Sequence, residues 1–257
     1  MSIIQQRGTD SPHTLEVWGD FACFSRPEMK VERFTYPCPT PSAARAVFEA
    51  IYFKPEFRWQ VTRIELLSWP ALIALRRNEV KDKLNPAAVG RWMSGKAAVE
   101  PIWADGDASL LGTDMKGRTQ RQTMALRKPR FRLTARVLPR PGKESQQRAF
   151  DEQFVRRASQ GKCFQQPYLG CREFVAFFAY VKSAGGTPPV DFSQKLGLML
   201  YDVFDLRKTN TPLGADGSTT RPFITLFDAE IRHGVLEIPD FDDDRVLKPE
   251  PGERRAG

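Results

Sequence analysis

Few residues in this chain have types and spacing suited to chemistry. A phenol and an ammonium, Tyr52 and Lys54, stand two apart at the end of the stretch TPSAARAVFEAIYFKP (residues 40–55). A tyrosine has an unperturbed pKa of about 10, so Tyr52 can act as a base only where nearby cations lower it. Lys54, Arg156 and Arg157 are the cations that would supply that field. Arg148 suits a phosphate by charge, but a guanidinium pKa above about 12 makes it a poor proton shuttle. His233, beside Gly234, reads as a turn residue and as the only imidazole of the folded part. Together with His13, the four cysteines Cys23, Cys38, Cys163 and Cys171 show no CxxC pair or ligand spacing. No metal site and no cofactor is expected, and the thiols read as buried residues of a reducing cytoplasm.

The charge is unevenly spread. The chain of 257 residues has 39 Lys plus Arg against 31 Asp plus Glu, a net charge of +8. Lys116 to Lys162 alone holds fourteen Lys or Arg and three acids (Glu144, Asp151, Glu152), so the rest of the chain is net negative by three. A basic excess confined to one segment suits an anionic partner, with nucleic acid the first candidate. No apolar run approaches the roughly 20 residues of a membrane span, and MSIIQQRGTDSPH lacks a signal-peptide core. No membrane partner is expected.

The elements that must position these residues follow from periodicity. Residues 1–12 read as a loose arm. Thr14 to Phe24 alternates as a first strand. In 25–39, Arg26, Lys30 and Arg33 interleave with aromatic residues in a proline-bounded loop. A helix over 41–53 is predicted, with Thr40 as its cap and Pro41 at its first position. Phe57 to Leu67 reads as a strand whose apolar parity shifts after residue 61, as a bulge would require. Residues 70–119 form an insertion with a short apolar element (ALIAL), a charged run (RRNEVKDKL), a small helix at 86–93 and a loop at 105–116. Thr123 to Leu138 reads as one strand with Arg130, Arg132, Thr134 and Arg136 on one face, the basic line continuing through Arg127, Lys128 and Arg140. A helix at 146–160 and an aromatic strand at 173–181, apolar on both faces, complete a βαββαβ order. The predicted fold class is therefore α+β, with a ferredoxin-like (RRM-type) domain over 13–184. Residues 185–239 are predicted as a small appended antiparallel sheet, with a strand at 196–206 and a hairpin at 222–238 turning at His233-Gly234. Residues 240–257 are predicted as a disordered tail.

Several blocks resemble the CRISPR-associated Cas-five family, in its Dvulg branch from subtype I-C systems. They are VWGDFACFSRPEMKVERFTYPCPTPSAAR (17–45), EAIYFKP (49–55), RRNEV (76–80), QRQT (120–123), KCFQQPYLGCREF (162–174) and FDAEIRHGVLEIP (227–239). The resemblance implies two roles. One is metal-independent cutting of precursor CRISPR RNA (pre-crRNA) at its repeat hairpin; the other is holding the resulting 5′ handle at one end of the Cascade surveillance complex. The implied partners are that RNA, the backbone and large Cascade subunits, and target DNA through the complex. The resemblance also points to a catalytic Tyr, Lys and His. The Tyr maps onto Tyr52 through EAIYFKP. The Lys-His pair belongs just before or at the start of the second helix, where this chain has Gln147, Arg148, Ala149 and Phe150, so neither residue is present.

Each signal has two readings. Tyr52 is a catalytic phenol or a half-buried helix-end aromatic. The arginine face at 130–136 binds phosphates or is a solvated strand. Arg26, Lys30 and Arg33 join aromatics in holding single-stranded RNA or are surface charges. PYLGCREF is an RNA contact, or a tight glycine turn with a partly buried Arg172–Glu173 pair. At the level of function the alternatives are a metal-independent endoribonuclease, a handle-binding structural subunit without activity, and an unrelated RRM-like module.

Overall fold

The computed structural model describes residues 12–29, 31–81, 84–99, 102–105, 109, 117–182, 186–208 and 222–249. The loose arm expected at 1–12 lies almost wholly outside these residues, as does most of the loop expected at 105–116. In chain order the elements are β1 (His13–Trp18), β2 (Phe21–Ala22), β3 (Arg33–Phe34), α1 (Pro41–Ile51), β4 (Phe57–Leu66) and β5 (Leu72–Val80). Then come α2 (Pro86–Met93), β6 (Arg118–Arg127), β7 (Arg130–Pro139), a 3-10 turn (Glu144–Gln146) and α3 (Gln147–Ser159). Strands β8 (Phe177–Val181), β9 (Gln194–Asp202), β10 (Thr225–Ile231) and β11 (Val235–Glu237) finish the chain.

The architecture is mixed α/β and mostly antiparallel. The main sheet has the order β11–β4–β7–β1–β8, every neighbour antiparallel. A second sheet is built around β6, which pairs with β5, β2 and, in parallel, β3. The third is the antiparallel pair β9–β10. Helices α1 and α3 cover the main sheet with Val47, Phe48, Ile51, Phe150 and Phe154, all buried. Trp59 sits at the centre of this layer, its ring centroid 4.9 Å from Phe48 and 4.6 Å from Phe154. Its indole N–H donates to the Tyr52 carbonyl at 2.9 Å, which satisfies a buried donor and ties the end of α1 to the sheet.

Local sequence explains α1 well. The Thr40 hydroxyl accepts from the Ala43 N–H at 3.2 Å, Pro41 opens the helix, and Tyr52 is already extended with φ −152°. The helix thus stops at Ile51, short of the predicted 53. Strand β4 carries the expected register shift, between Val61 and Arg63.

Five other expectations change. The strand predicted from 123 to 138 is two strands in two sheets, broken at Lys128-Pro129. Lys128 takes φ +48° and donates its N–H to the Asp20 carbonyl at 2.7 Å, while Pro129 has no N–H for a ladder. ALIAL and RRNEV, read separately, are one nine-residue strand, β5. The hairpin at 222–238 turns where predicted, with Arg232 bridging Val235, but β11 leaves β10 and pairs with β4 in the main sheet. A tail was expected from 240 onward, yet Phe241 and Val246 are buried and Leu247 bridges Leu226. Residues 250–257 lie outside the described residues. Strand β8 is an edge strand, and its Phe177 is half exposed, stacked on Trp18, rather than buried on both faces.

A buried ion pair fixes the β9–β10 pair against α1. Arg45, 5% exposed, donates through Nε (2.7 Å) and Nη2 (3.1 Å) to Asp202, 1% exposed. Glu49 adds a second carboxylate at 2.6 Å, and Asp202 also accepts from the backbone of Val203 and Phe204. Removing one partner of such a pair strands the other charge in a low-dielectric interior. Asp202→Ala is expected to lower unfolding free energy by about 3 kcal/mol, measured by urea denaturation. A loss under about 1 kcal/mol would mean that Glu49 alone compensates Arg45.

Candidate nucleic-acid interface

The end of α1 forms a corner. Tyr52, 7% exposed, packs its ring 5.3 Å from Phe57, which in turn lies 5.0 Å from Phe150 of α3. Arg157 of α3 donates Nε to the Ile51 carbonyl at 2.8 Å, a cation at the negative end of the α1 dipole. Lys54 is exposed at the same exit, and the Arg140 N–H bonds the Glu56 carbonyl at 2.8 Å. The structure therefore brings Tyr52 and Arg157 together, with Lys54 exposed two residues farther along the chain. Arg156 points elsewhere, bonded to Gln153 on the outer side of α3.

The electrostatics at Tyr52 run opposite to what a base requires. Burial raises the phenol above its ordinary value and the Glu56 carboxylate raises it further, while Arg157 offsets only part. Among the described residues the Tyr52 hydroxyl has no hydrogen-bond partner. A neutral phenol beside Arg157 is set up as a proton or hydrogen-bond donor. Arg148 is no part of this corner: its side chain is 88% exposed and held by Glu152 at 2.7 Å, one turn along the same helix. Gln147, at the other suspected position, donates to the Val137 carbonyl (3.3 Å) and to Asp151 (2.9 Å).

The arginine face at 130–136 is not the uncompensated strip that the sequence suggests. In the register of the main sheet, Arg132 lies between Glu16 on β1 and Glu65 on β4. It reaches Glu16 at 3.0 Å, Glu65 at 3.6 Å and the Thr187 carbonyl at 3.0 Å. Arg130 shares Glu16 at 2.7 Å and lies over the Trp18 ring, and Arg136 chelates Asp240 through two contacts of 2.8 Å. The acids come from β1, β4 and the segment after β11, so counting along one strand could not see them. Arg127 and Lys128 are exposed at the β6–β7 turn and, among the described residues, have no carboxylate partner.

The 25–39 loop is also internally paired. Arg26 lies 4.6 Å over the Tyr36 ring and 3.6 Å from Glu28. Arg33 donates to the Cys171 sulfur at 3.2 Å and approaches Glu173 and Glu79. Lys30 lies outside the described residues. Glu173 pairs with Arg77 and Arg33, so the expected Arg172–Glu173 pair does not form. The glycine reading of PYLGCREF holds: Gly170 takes φ +84°, and a Cβ there would meet the Cys23 carbonyl at 2.1 Å.

Sequence reasoning missed two features. His13, one residue before the strand predicted from Thr14, opens β1; it is buried, with Nε2 2.7 Å from Asp151 and its ring 4.9 Å from Phe154. His233 is exposed in its turn and faces Asp191 at 2.7 Å. The second feature is a cleft of about 320 Å³ beside the corner, between α1 and the 164–168 segment. The block KCFQQPYLGCREF marked its sequence without suggesting its shape. Among the described residues no three His, Cys, Asp or Glu side chains gather as metal ligands would, and no helix is long and apolar enough to cross a membrane.

Comparison with known proteins agrees with this setting. The sequence model of the CRISPR-associated protein family Cas5, in its Cas5d form, matches residues 14–238. The chain is 35% identical over 234 residues to a protein of Mannheimia succiniciproducens named CRISPR pre-crRNA endoribonuclease Cas5d, covering 88% of this chain and 94% of that one. A Thermus thermophilus protein of the same name is 36% identical, with 88% and 90% covered. Among solved structures, one titled as a CRISPR-associated protein superposes with a TM-score of 0.58 at 15% identity, covering 93% and 97% of the two chains. That likeness speaks to the fold alone.

Spectrophotometric titration tests the state of Tyr52. The difference between the native chain and Tyr52→Phe is expected to show one phenol ionising above pH 10, because burial and Glu56 both favour its neutral form. By linkage, the stability tied to that proton is complete below about pH 10 and is lost as pH rises through the higher folded-state value. A midpoint below 10 would show that Arg157 and Lys54 dominate instead.

Proposed function

We propose a pre-crRNA-processing role on one premise: the chain belongs to the CRISPR-associated Cas5 family. In this reading the protein cuts precursor CRISPR RNA at its repeat hairpin and then keeps the 5′ handle as a subunit of Cascade. The observation that carries it is the corner at the end of α1, where a neutral phenol lies beside Arg157 and Lys54 is exposed at the helix exit. The four strands β1, β4, β7 and β8 with helices α1 and α3 are read as the ferredoxin-like unit; their sheet order and the two covering helices support that name. The backbone and large subunits of Cascade, target DNA held through the complex, and a cytoplasmic location belong to the same proposal.

Cleavage without a metal proceeds by attack of the 2′-oxygen on the adjacent phosphorus, with the 5′-oxygen leaving. The products are a 2′,3′-cyclic phosphate and a 5′-hydroxyl. The steps need an acceptor for the 2′-hydroxyl proton, which in this reading passes to solvent water, an in-line phosphate, cations for the charge that develops on it, and a proton for the leaving oxygen. Tyr52 is assigned the last task, since its environment keeps the proton on the phenol at neutral pH. Lys54 and Arg157 are assigned to the phosphate. Arg127 and Lys128 are proposed to meet the RNA backbone farther along. Arg26, Lys30, Arg33, Arg130, Arg132, Arg136, Arg148 and Arg156 are given no direct role, for the described members of that set are already bonded within the protein.

A second reading is a handle-binding subunit without activity. It is favoured by Gln147 and Arg148 standing where the family resemblance puts a Lys-His pair, with Arg148 turned to Glu152. Incubation of the purified protein with its own repeat RNA in EDTA separates the two. The expected result is a single cut ending in a cyclic phosphate, slowed at least about 100-fold by Tyr52→Phe. Intact RNA together with tight, salt-sensitive binding would establish the second reading.

A further inference from the structure

Beside the Tyr52 corner, one face of α1 (Arg45, Ala46, Glu49, Ala50), Phe53 just past its end, the 164–168 segment and Phe204 enclose the cleft of about 320 Å³. That volume is at the small end of the roughly 300–1,000 Å³ typical of small-molecule sites. Its rim is aromatic and exposed: Phe164 is 75%, Phe53 47% and Tyr168 40% exposed. The backbone carrying them is pinned from both sides. The N–H groups of Phe164 and Gln165 both donate to the Ala50 carbonyl, at 2.7 and 3.1 Å. On the far side, Gln166 Nε2 donates to the Ala176 carbonyl at 2.8 Å and the Ala176 N–H to the Pro167 carbonyl at 2.9 Å. Large aromatic rings held out to solvent on fixed backbone gain nothing for the fold, and this is how stacking platforms for unpaired bases are built.

The polar groups in the cleft narrow the ligand. One Glu49 oxygen is bonded to Arg45 at 2.6 Å, and among the described residues the other has no partner. A carboxylate oxygen accepts but does not donate, so it pairs with an N–H on a base edge, an exocyclic amino group or a ring imino group. Lys54 and Lys162 are exposed close by and, among the described residues, carry no ion pair; they suit the phosphates on either side of the base.

We propose that this cleft takes one unstacked base of the repeat RNA next to the cut, with Phe164 and Phe53 as stacking surfaces and Glu49 accepting from an N–H on the base edge. The inference rests on the RNA-processing reading and adds a positioning site to it. Holding one base out of the stack turns the neighbouring phosphate and fixes its geometry against Tyr52.

The test uses the full chain and repeat RNA blocked by a 2′-deoxy sugar at the cut, with 2-aminopurine placed at each unpaired position in turn. One position next to the cut is expected to lose fluorescence on binding. The loss should disappear in Phe164→Ala and Phe53→Ala, with RNA affinity roughly tenfold weaker and the thermal midpoint unchanged. Uridine methylated at N3, which has no N–H on its pairing edge, is expected to weaken binding at that position as well. A quenching pattern unaffected by Phe164→Ala would overturn the base site while leaving the processing role standing. So would an unchanged RNA response combined with lost association with other Cascade subunits, which would make the cleft a protein contact. Failure of the native chain to bind repeat RNA at all would overturn both. N3-methyluridine bound as well as the unmodified bases would overturn the role of Glu49.

Discussion

The bidentate pair between Arg45 and Asp202 is the interaction on which the arrangement depends. Two charges taken out of water cost several kcal/mol each unless geometry and extra hydrogen bonds offset the loss. Here Asp202 accepts from two guanidinium nitrogens and two backbone N–H groups, and Arg45 has a second carboxylate in Glu49. The result locks α1 to β9 at one rotation about its axis. With that rotation fixed, Phe48 and Ile51 face the sheet and Glu49 and Phe53 face the cleft. Tyr52 is left at the exit.

Carboxylate placement decides where the positive charge of the chain is available. The central sheet carries its arginines in a ladder with glutamates of neighbouring strands, Glu16 and Glu65 flanking Arg132. These cations hold strands in register and leave little potential to attract a polyanion. The cations without a carboxylate partner among the described residues include Lys54, Arg127, Lys128, Arg157 and Lys162, at loop and helix ends. Basic charge is thus spent on structure in the sheet and presented at its edges, the reverse of what the linear charge count suggests.

The chemistry of the corner follows from a similar competition. Three influences act on Tyr52: burial, Glu56 and Arg157. The first two favour the neutral phenol, and the single guanidinium is committed to the Ile51 carbonyl as well. A phenol kept neutral can give a proton to a leaving oxygen but is poorly suited to take one from a ribose hydroxyl. With Gln147 and Arg148 at the start of α3, the geometry contains no imidazole near this corner; His13 is buried against Asp151 and Phe154. Rate, if the chain cuts, would come mainly from positioning and charge, which gives the aromatic cleft beside Tyr52 its place in the reading.

By itself the sequence determined the local events. Thr40-Pro41 set the start of α1, the apolar parity shift set the bulge in β4, and the positive φ at Gly170 was foreshadowed by the tight-turn reading of PYLGCREF. These are short-range effects of capping, pleat and backbone sterics, which act within a few residues. The family too was legible in its blocks. Only the tertiary structure decided which charges cancel, because Arg132 and its acids are separated by 116 and 67 positions and meet through strand register. It also divided the apparent strand at 123–138 between two sheets and drew β11 and Phe241 into the main body. And it showed the cleft, whose walls come from three segments, the stretch 45–53, the stretch 164–168 and Phe204, the first two joined at the carbonyl of Ala50. Pairing across such distances depends on the whole fold being assembled, and no window of sequence contains it.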